Sequence, residues 1–132
     1  MPQAGDSFVV ELRPIHLNWG TIPDRRTTSR NEVRGEGYIP IPREYARQYH
    51  IFNSNNAEAN VLYTVTCLNG AQIQGQLLAQ GASRRGDIYA KNFSVQNDLK
   101  AIGNWFRSVE AQPGGHVEVC FLSENELTIR YY

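Results

Sequence analysis

GEGYIPIPREYARQYHI, residues 35–51, decides how the rest of this 132-residue chain is read. Gly35 and Gly37 lead into a short apolar run, Tyr38-Ile39-Pro40-Ile41, in which Pro40 and the following Pro42 alternate with the isoleucines. Proline has no N–H to give a ladder, so the run predicts a short strand at a sheet edge or a strand end. Pro42 then stands where a helix would start, the one helical position at which a missing N–H costs nothing. Arg43 to Tyr49 follows with helix-forming residues. Tyr45 and Tyr49 are four apart and share a face, and Arg43 and Arg47 share the next. A strand therefore runs straight into a short helix, with a basic segment leading in.

The length fits one domain with a single real core. The composition is ordinary for a globular chain. Val61 to Leu68, the longest apolar-rich run, is broken by two threonines and is too short to span a membrane. Neither a spanning helix nor a signal peptide is expected. Cys67 and Cys120 have no metal-ligand spacing and both fall in predicted strands. They are read as buried free thiols rather than a disulfide, in a reducing, cytoplasmic compartment.

The formal net charge is zero, which argues against a crude nucleic-acid binder. The distribution of charge says more. Residues 25–47 carry six Arg against three acids, and residues 84–107 carry five basic residues against two acids, a balance of +3 in each. Acidic ends offset them. Eleven of the thirteen basic residues are Arg, whose rigid fork suits phosphates and guanine edges better than Lys does. Any one of these Arg taken alone reads better as a solvated surface charge.

Ser7 to Arg13 alternates as a half-buried strand, with Phe8, Val10 and Leu12 on one face, and Pro14 ends it. Pro23 to Arg34 has no apolar periodicity and reads as an exposed arm or a polar loop. Arg25, Arg26, Arg30, Asn31 and Arg34 can all donate to phosphate, and Arg and Asn can also read base edges. Asn53 to Asn60 is a polar loop. Asn60 to Leu68 is a strand with Val61, Tyr63, Val65 and Cys67 on one face. Asn69-Gly70 predicts a tight hairpin, since both residues tolerate positive φ. Ala71 to Gln80 returns as the partner strand, its glutamines toward water and Ile73, Leu77 and Ala79 inward. Gly81 to Lys91 is the second basic segment, with Ile88 to Phe93 as a strand. Asn97-Asp98 is expected to cap a helix carrying Leu99, Ile102, Trp105, Phe106 and Val109 on its apolar side. Gly103 in that helix predicts a close approach by another part of the chain. Pro113-Gly114-Gly115 stops the helix. Strands through Val117, Val119 and Phe121, and through Leu127, Ile129 and Tyr131, follow around a turn at Ser123 to Asn125.

The order β-β-α-β-β-β-α-β-β, together with YIPIP, Arg43, Ala46 and Tyr49 and a preceding Leu17-Asn18-Trp19-Gly20, resembles the DNA-binding pseudobarrel family. That family includes the plant B-three domains and the DNA-recognition domains of restriction endonucleases such as EcoRII, BfiI and the NgoFVII group. The likeness spans nearly the whole chain, in arrangement more than in identities, and the acidic residue usual near the position of Gly115 is missing. The resemblance implies a mostly β fold, a seven-stranded open DNA-binding pseudobarrel flanked by two short α-helices. It implies sequence-specific binding of double-stranded DNA in the major groove by two recognition arms. Arg25 to Arg34 would form the N-terminal arm. Ser83, Arg84, Arg85, Asp87, Tyr89 and Lys91 would form the C-terminal arm. Asp87 would accept from a cytosine amine, orient Arg85, or simply cap its loop. Trp19 reads as filling a core edge.

A shorter strand-Pro-helix echo also occurs in AbrB-type and swapped-hairpin antitoxin regulators, so a dimeric transcription regulator is the alternative. A small enzyme or a protein-interaction module is a third. His16, His50 and His116 have no metal-ligand spacing to each other or to a cysteine, and each reads as a lone surface or core histidine. Asp87 and Lys91 lack the second carboxylate that would hold Mg²⁺. No glycine-rich phosphate loop or elbow serine is present. The expectation is a DNA-recognition module without catalysis, metal or cofactor, whether fused to a nuclease domain, partnered by a nuclease subunit, or alone.

Overall fold

The structure, a computed structural model, describes residues 2–17, 37–53, 62–81, 88–98 and 100–132. Seven strands form one sheet: β1 (Ser7–Glu11), β2 (Ile39–Pro40), β3 (Leu62–Cys67), β4 (Gln76–Gln80), β5 (Asn92–Val95), β6 (His116–Phe121) and β7 (Glu126–Tyr131). Helix α2 (Arg43–Gln48) and helix α3 (Ala101–Ser108) flank it, and α1 (Pro14–Leu17) is a single turn. The fold is mostly β, as expected. The strands lie in the order β1-β6-β7-β3-β4-β5-β2, antiparallel except for the parallel β3–β7 pair. Among the described residues β2 is an edge strand pairing only through β5, which is where a proline in a strand must go.

Alternation places the core. Tyr63, Val65, Cys67, Leu77, Ala79, Val117, Val119, Phe121, Leu127 and Ile129 all point inward and are buried. Phe8 lies opposite Val119, which lies opposite Ile129, so one inner row crosses β1, β6 and β7. The helices close opposite ends of this curved sheet. At one end Tyr45 of α2 stacks on Phe8 at 5.6 Å, Tyr49 meets Phe121 edge-on at 6.4 Å, and the Tyr49 hydroxyl donates to the Ser7 carbonyl at 2.8 Å. At the other end the Trp105 indole N–H of α3 donates to the Asn69 carbonyl at 2.9 Å, and the Tyr131 hydroxyl accepts from the Gln112 N–H at 3.0 Å. Gly103 meets Gly37: a Cβ added to Gly37 would lie 3.1 Å from the Gly103 Cα. That is the close approach its sequence position predicted.

Several expected boundaries shift, each for a local reason. β1 ends at Glu11 because Pro14 opens the turn α1, and the Arg13 N–H is taken by His16 Nδ1 at 3.0 Å. The tight Asn69-Gly70 hairpin does not form. β3 and β4 pair only through Leu62–Leu78, Tyr63–Leu77 and Thr64–Gln76. Beyond that point the side-chain amide of Gln72 takes both backbone groups of Cys67, at 3.1 and 2.7 Å, and so replaces the ladder. Asn69 is turned to β7 instead, its amide bonded to the Tyr131 N–H and carbonyl at 3.0 and 2.7 Å. The expected strand over 88–93 lies at Asn92–Val95, with Tyr89 in an isolated bridge to Phe52. Helix α3 starts at Ala101, later than expected. Asn97 adopts φ 63°, and Asp98 spends its carboxylate on the Lys100 N–H at 3.1 Å rather than capping a helix. Both cysteines are free, but only Cys67 is buried. Cys120, between Val119 and Phe121, faces outward and is half-buried. Burial pushes both thiols up from their ordinary value. Leu99, Trp19, Val61 and the polar residues 54–60 lie outside the described residues.

Both longer helices end in a Schellman motif without glycine. In α2 the Ile51 N–H reaches the Ala46 carbonyl at 2.8 Å around His50, at φ 55°. In α3 the Ala111 N–H reaches the Phe106 carbonyl at 2.9 Å around Glu110, at φ 54°. A side chain in the left-handed region is disfavoured by about 1–2 kcal/mol, part of which glycine's greater unfolded-chain entropy offsets. Glu110→Gly is therefore expected to stabilise the fold by roughly 0.5–1 kcal/mol. The readout is a higher urea midpoint at unchanged slope. A lowered midpoint would contradict this account of the α3 terminus.

Candidate functional site

The sheet does not close on itself by a ladder. Its two edges, β1 and β2, face each other across a seam, which the Tyr38 N–H to His16 carbonyl bond spans at 3.0 Å. The seam opens into a cleft of about 380 Å³. One wall is the end of β1 and the turn α1, carrying Val10, Glu11, Arg13 and His16. The other is Pro40 to Arg43 with Tyr89 to Asn92. Two prolines and the N-terminus of α2 shape this second wall, so the strand–helix unit of residues 35–51 builds it directly. Ile41 ties the wall together, its N–H donating to the Lys91 carbonyl at 2.8 Å.

Positive charge dominates the lining. Among the described residues of the lining, Arg13, Arg43 and Lys91 stand with one acid, Glu11. Arg47 on the next turn of α2 reaches over the Tyr89 ring, 5.9 Å from its centroid, and Phe52 stacks on Tyr89 at 5.7 Å. The Tyr89 ring is thus already engaged by a guanidinium and a phenyl ring. His16 is half-buried in the same wall. Burial first, then the charges of Arg13 and Lys91, pull its pKa down to about 4. It is neutral at neutral pH, and since Nδ1 accepts the Arg13 N–H, the ring proton sits on Nε2.

Of the residues named from sequence, Tyr89 and Lys91 lie on the cleft. Arg25, Arg26, Arg30, Asn31, Arg34, Ser83, Arg84, Arg85 and Asp87 lie outside the described residues. The points from which those segments leave are described. Residues 18–36 depart after Leu17 and return at Gly37, one residue beyond each partner of the His16–Tyr38 bond that spans the seam. Residues 82–87 depart at Gly81 and return at Ile88. There the Lys91 N–H donates to the Gln80 carbonyl at 2.9 Å and the Asn53 N–H donates to the Ile88 carbonyl at 2.8 Å. Both basic segments are therefore rooted in the walls of one cleft.

Sequence reading missed Arg13, Arg43 and Asn92 as companions in that cleft, and took His16 for a lone histidine. Arg43 carried a signal, since it opens the helix that the YIPIP strand feeds. Arg13 and His16 carried none, because their position depends on how far the sheet curls. Among the described residues no group of three or more His, Cys, Asp or Glu is placed to hold a metal ion, and no helix is long and apolar enough to cross a membrane. Comparison with protein-family models, with curated proteins and with solved structures gives no match.

Proposed function

We propose that this chain binds double-stranded DNA across the seam cleft, with residues 25–34 and 83–91 as two arms in the major groove. It would serve as the recognition part of a restriction endonuclease or as a stand-alone relative. The observation that carries this reading is the rooting of both basic segments in one cleft lined by Arg13, Arg43 and Lys91. Cations on both arms and on the floor between them can neutralise phosphates along one stretch of duplex. Seven strands around one core within a single chain favour this over the dimeric swapped-hairpin regulator, which needs a second chain to complete its fold.

The second arm is the better reader of sequence. It is short, six residues between Gly81 and Ile88, and held at its base by the Gln80–Lys91 and Asn53–Ile88 bonds. Base readout needs such fixed placement, whereas phosphate contacts tolerate slack. Arg84→Ala and Arg85→Ala are each expected to cost about 1–3 kcal/mol on a preferred site and to relax one base position. Arg25→Ala and Arg26→Ala are expected to weaken all sequences alike and to reduce the salt slope by about one. Selection from a random duplex pool, then competition across single-base variants, measures both. A reversal of the two patterns means that the arms have opposite roles. Absence of binding to any duplex at low salt would dispose of the DNA reading.

A further inference from the structure

We propose that Arg13, His16 and Lys91 form one phosphodiester site in the seam cleft, and that filling it draws a proton onto His16. This rests on the DNA reading for the source of the phosphodiester, but the site itself is a local arrangement. Arg13, just before the turn α1, and His16, within it, are joined by the Arg13 N–H to Nδ1 bond at 3.0 Å before anything binds. Lys91 faces them from the opposite wall. With Nδ1 occupied, the imidazole offers its Nε2–H as a donor beside two permanent cations. Two cations and a fixed donor converging on a concave surface suit a phosphate oxygen.

The same arrangement explains why the ring is neutral before anything binds. Burial and the two cations oppose a third positive charge, which holds His16 near 4. A phosphate between Arg13 and Lys91 cancels that repulsion and adds an attraction of the opposite sign. The imidazolium then becomes the favoured form: the incoming proton enters on Nδ1, which gives up the exposed Arg13 N–H to solvent, and the Nε2–H bond becomes charge-assisted. The other groups that face the ring are Glu11 at the end of β1, Arg43 at the start of α2, and Tyr89. Burial, Arg13 and Lys91 set the state of the ring, while Glu11 and Arg43 share the cleft lining with it.

The sign of the linkage is fixed. Binding that takes up a proton strengthens as pH falls, within the window between the bound and free pKa values of the ring. If the bound ring returns to its ordinary value of about 6.5, affinity gains roughly tenfold between pH 7.5 and 5.5. Two measurements test this. Fluorescence anisotropy with a random-sequence duplex, at constant ionic strength, compares the wild-type chain, His16→Gln and Glu11→Gln across that range. The expected result is a roughly tenfold gain for wild type and Glu11→Gln, and less than twofold for His16→Gln. In parallel, the His16 ring resonance of the wild-type chain is titrated with pH, alone, with inorganic phosphate, and with the duplex. It is assigned by its disappearance in His16→Gln. The midpoint is expected to rise with both additions.

Equal pH dependence in wild type and His16→Gln, or a midpoint unmoved by duplex, overturns the proposal. A midpoint moved by inorganic phosphate while the duplex binds without moving it makes the occupant a free anion and overturns the phosphodiester assignment. If no duplex binds at all, the DNA reading falls. The phosphate titration still decides whether the anion site exists, and an unmoved midpoint there removes it as well.

Discussion

A fourfold rise in monovalent salt, from about 50 to about 200 mM, is expected to weaken duplex binding roughly 250- to 1000-fold. The chain has no net charge, so an average over its surface would forecast almost no salt effect. DNA senses local charge. Arg13, Arg43 and Lys91 line the cleft, and the two segments rooted in it supply further arginines. If about five phosphates are contacted, each releases condensed counterion, and log K falls against log salt with a slope of roughly −4 to −5. Glu11 lies in the cleft lining and offsets one of these cations, while acids more than a Debye length of about 10 Å away are largely screened. Anisotropy titrations at four salt concentrations give the slope. A slope near zero would mean that phosphates do not lead binding, and the two-armed reading would lose its electrostatic basis.

Trp105→Ala is expected to remove about 3–5 kcal/mol of stability, enough to leave a marginal domain largely unfolded. Trp105 is only 1% exposed, the largest of the fully buried side chains among the described residues. It packs on Phe106 at 5.6 Å and supports the turn at residues 69–72. Gly70 shows how tight that corner is. At φ 73°, a Cβ there would lie 2.4 Å from Val109 Cγ1 and 3.1 Å from Trp105 Nε1. Truncation leaves a cavity that such surroundings cannot close, and it orphans the Asn69 carbonyl. Trp105→Phe keeps most of the volume and loses only the N–H, so it is expected to cost about 1–3 kcal/mol. Urea unfolding of the two variants separates cavity from hydrogen bond. Equal losses would show that the indole N–H accounts for the whole effect, and a loss under about 1 kcal/mol for Trp105→Ala would contradict the packing described.

Local periodicity carried most of the fold. Tyr63, Val65 and Cys67 on one strand, and Val117, Val119 and Phe121 on another, announce their inward faces by alternation alone. Ile102 and Phe106 do the same for α3 at helical spacing. The prolines at positions 40 and 42 placed an edge strand and a helix start correctly, because their constraint is covalent. Asn69-Gly70 misled for the opposite reason. Its outcome depends on Gln72 and Tyr131, whose amide and backbone groups compete for the same positions once the chain has folded. The cleft was half legible. Tyr89 and Lys91 follow from the second basic segment, whereas Arg13, His16 and Arg43 come from three separate pieces of chain. No spacing rule links residues that only sheet curvature brings face to face.

The parallel pairing of β3 with β7 has a consequence for how the chain reaches this state. Thr64 pairs with Glu126 in the middle of the sheet and Ser7 with Cys120 at its edge, so the sheet joins distant parts of the sequence. β3–β4, β4–β5 and β6–β7 join neighbours in sequence, whereas β1–β6, β2–β5 and β3–β7 do not. The loops that must close before the core exists are therefore among the largest this chain can make, and each closure costs entropy before any contact repays it. Such topology belongs to the slow end of small-domain folding, about milliseconds to seconds. Until β7 arrives, the edge of β3 stands unpaired and apolar. That interval is when the chain is most exposed to association with its own kind.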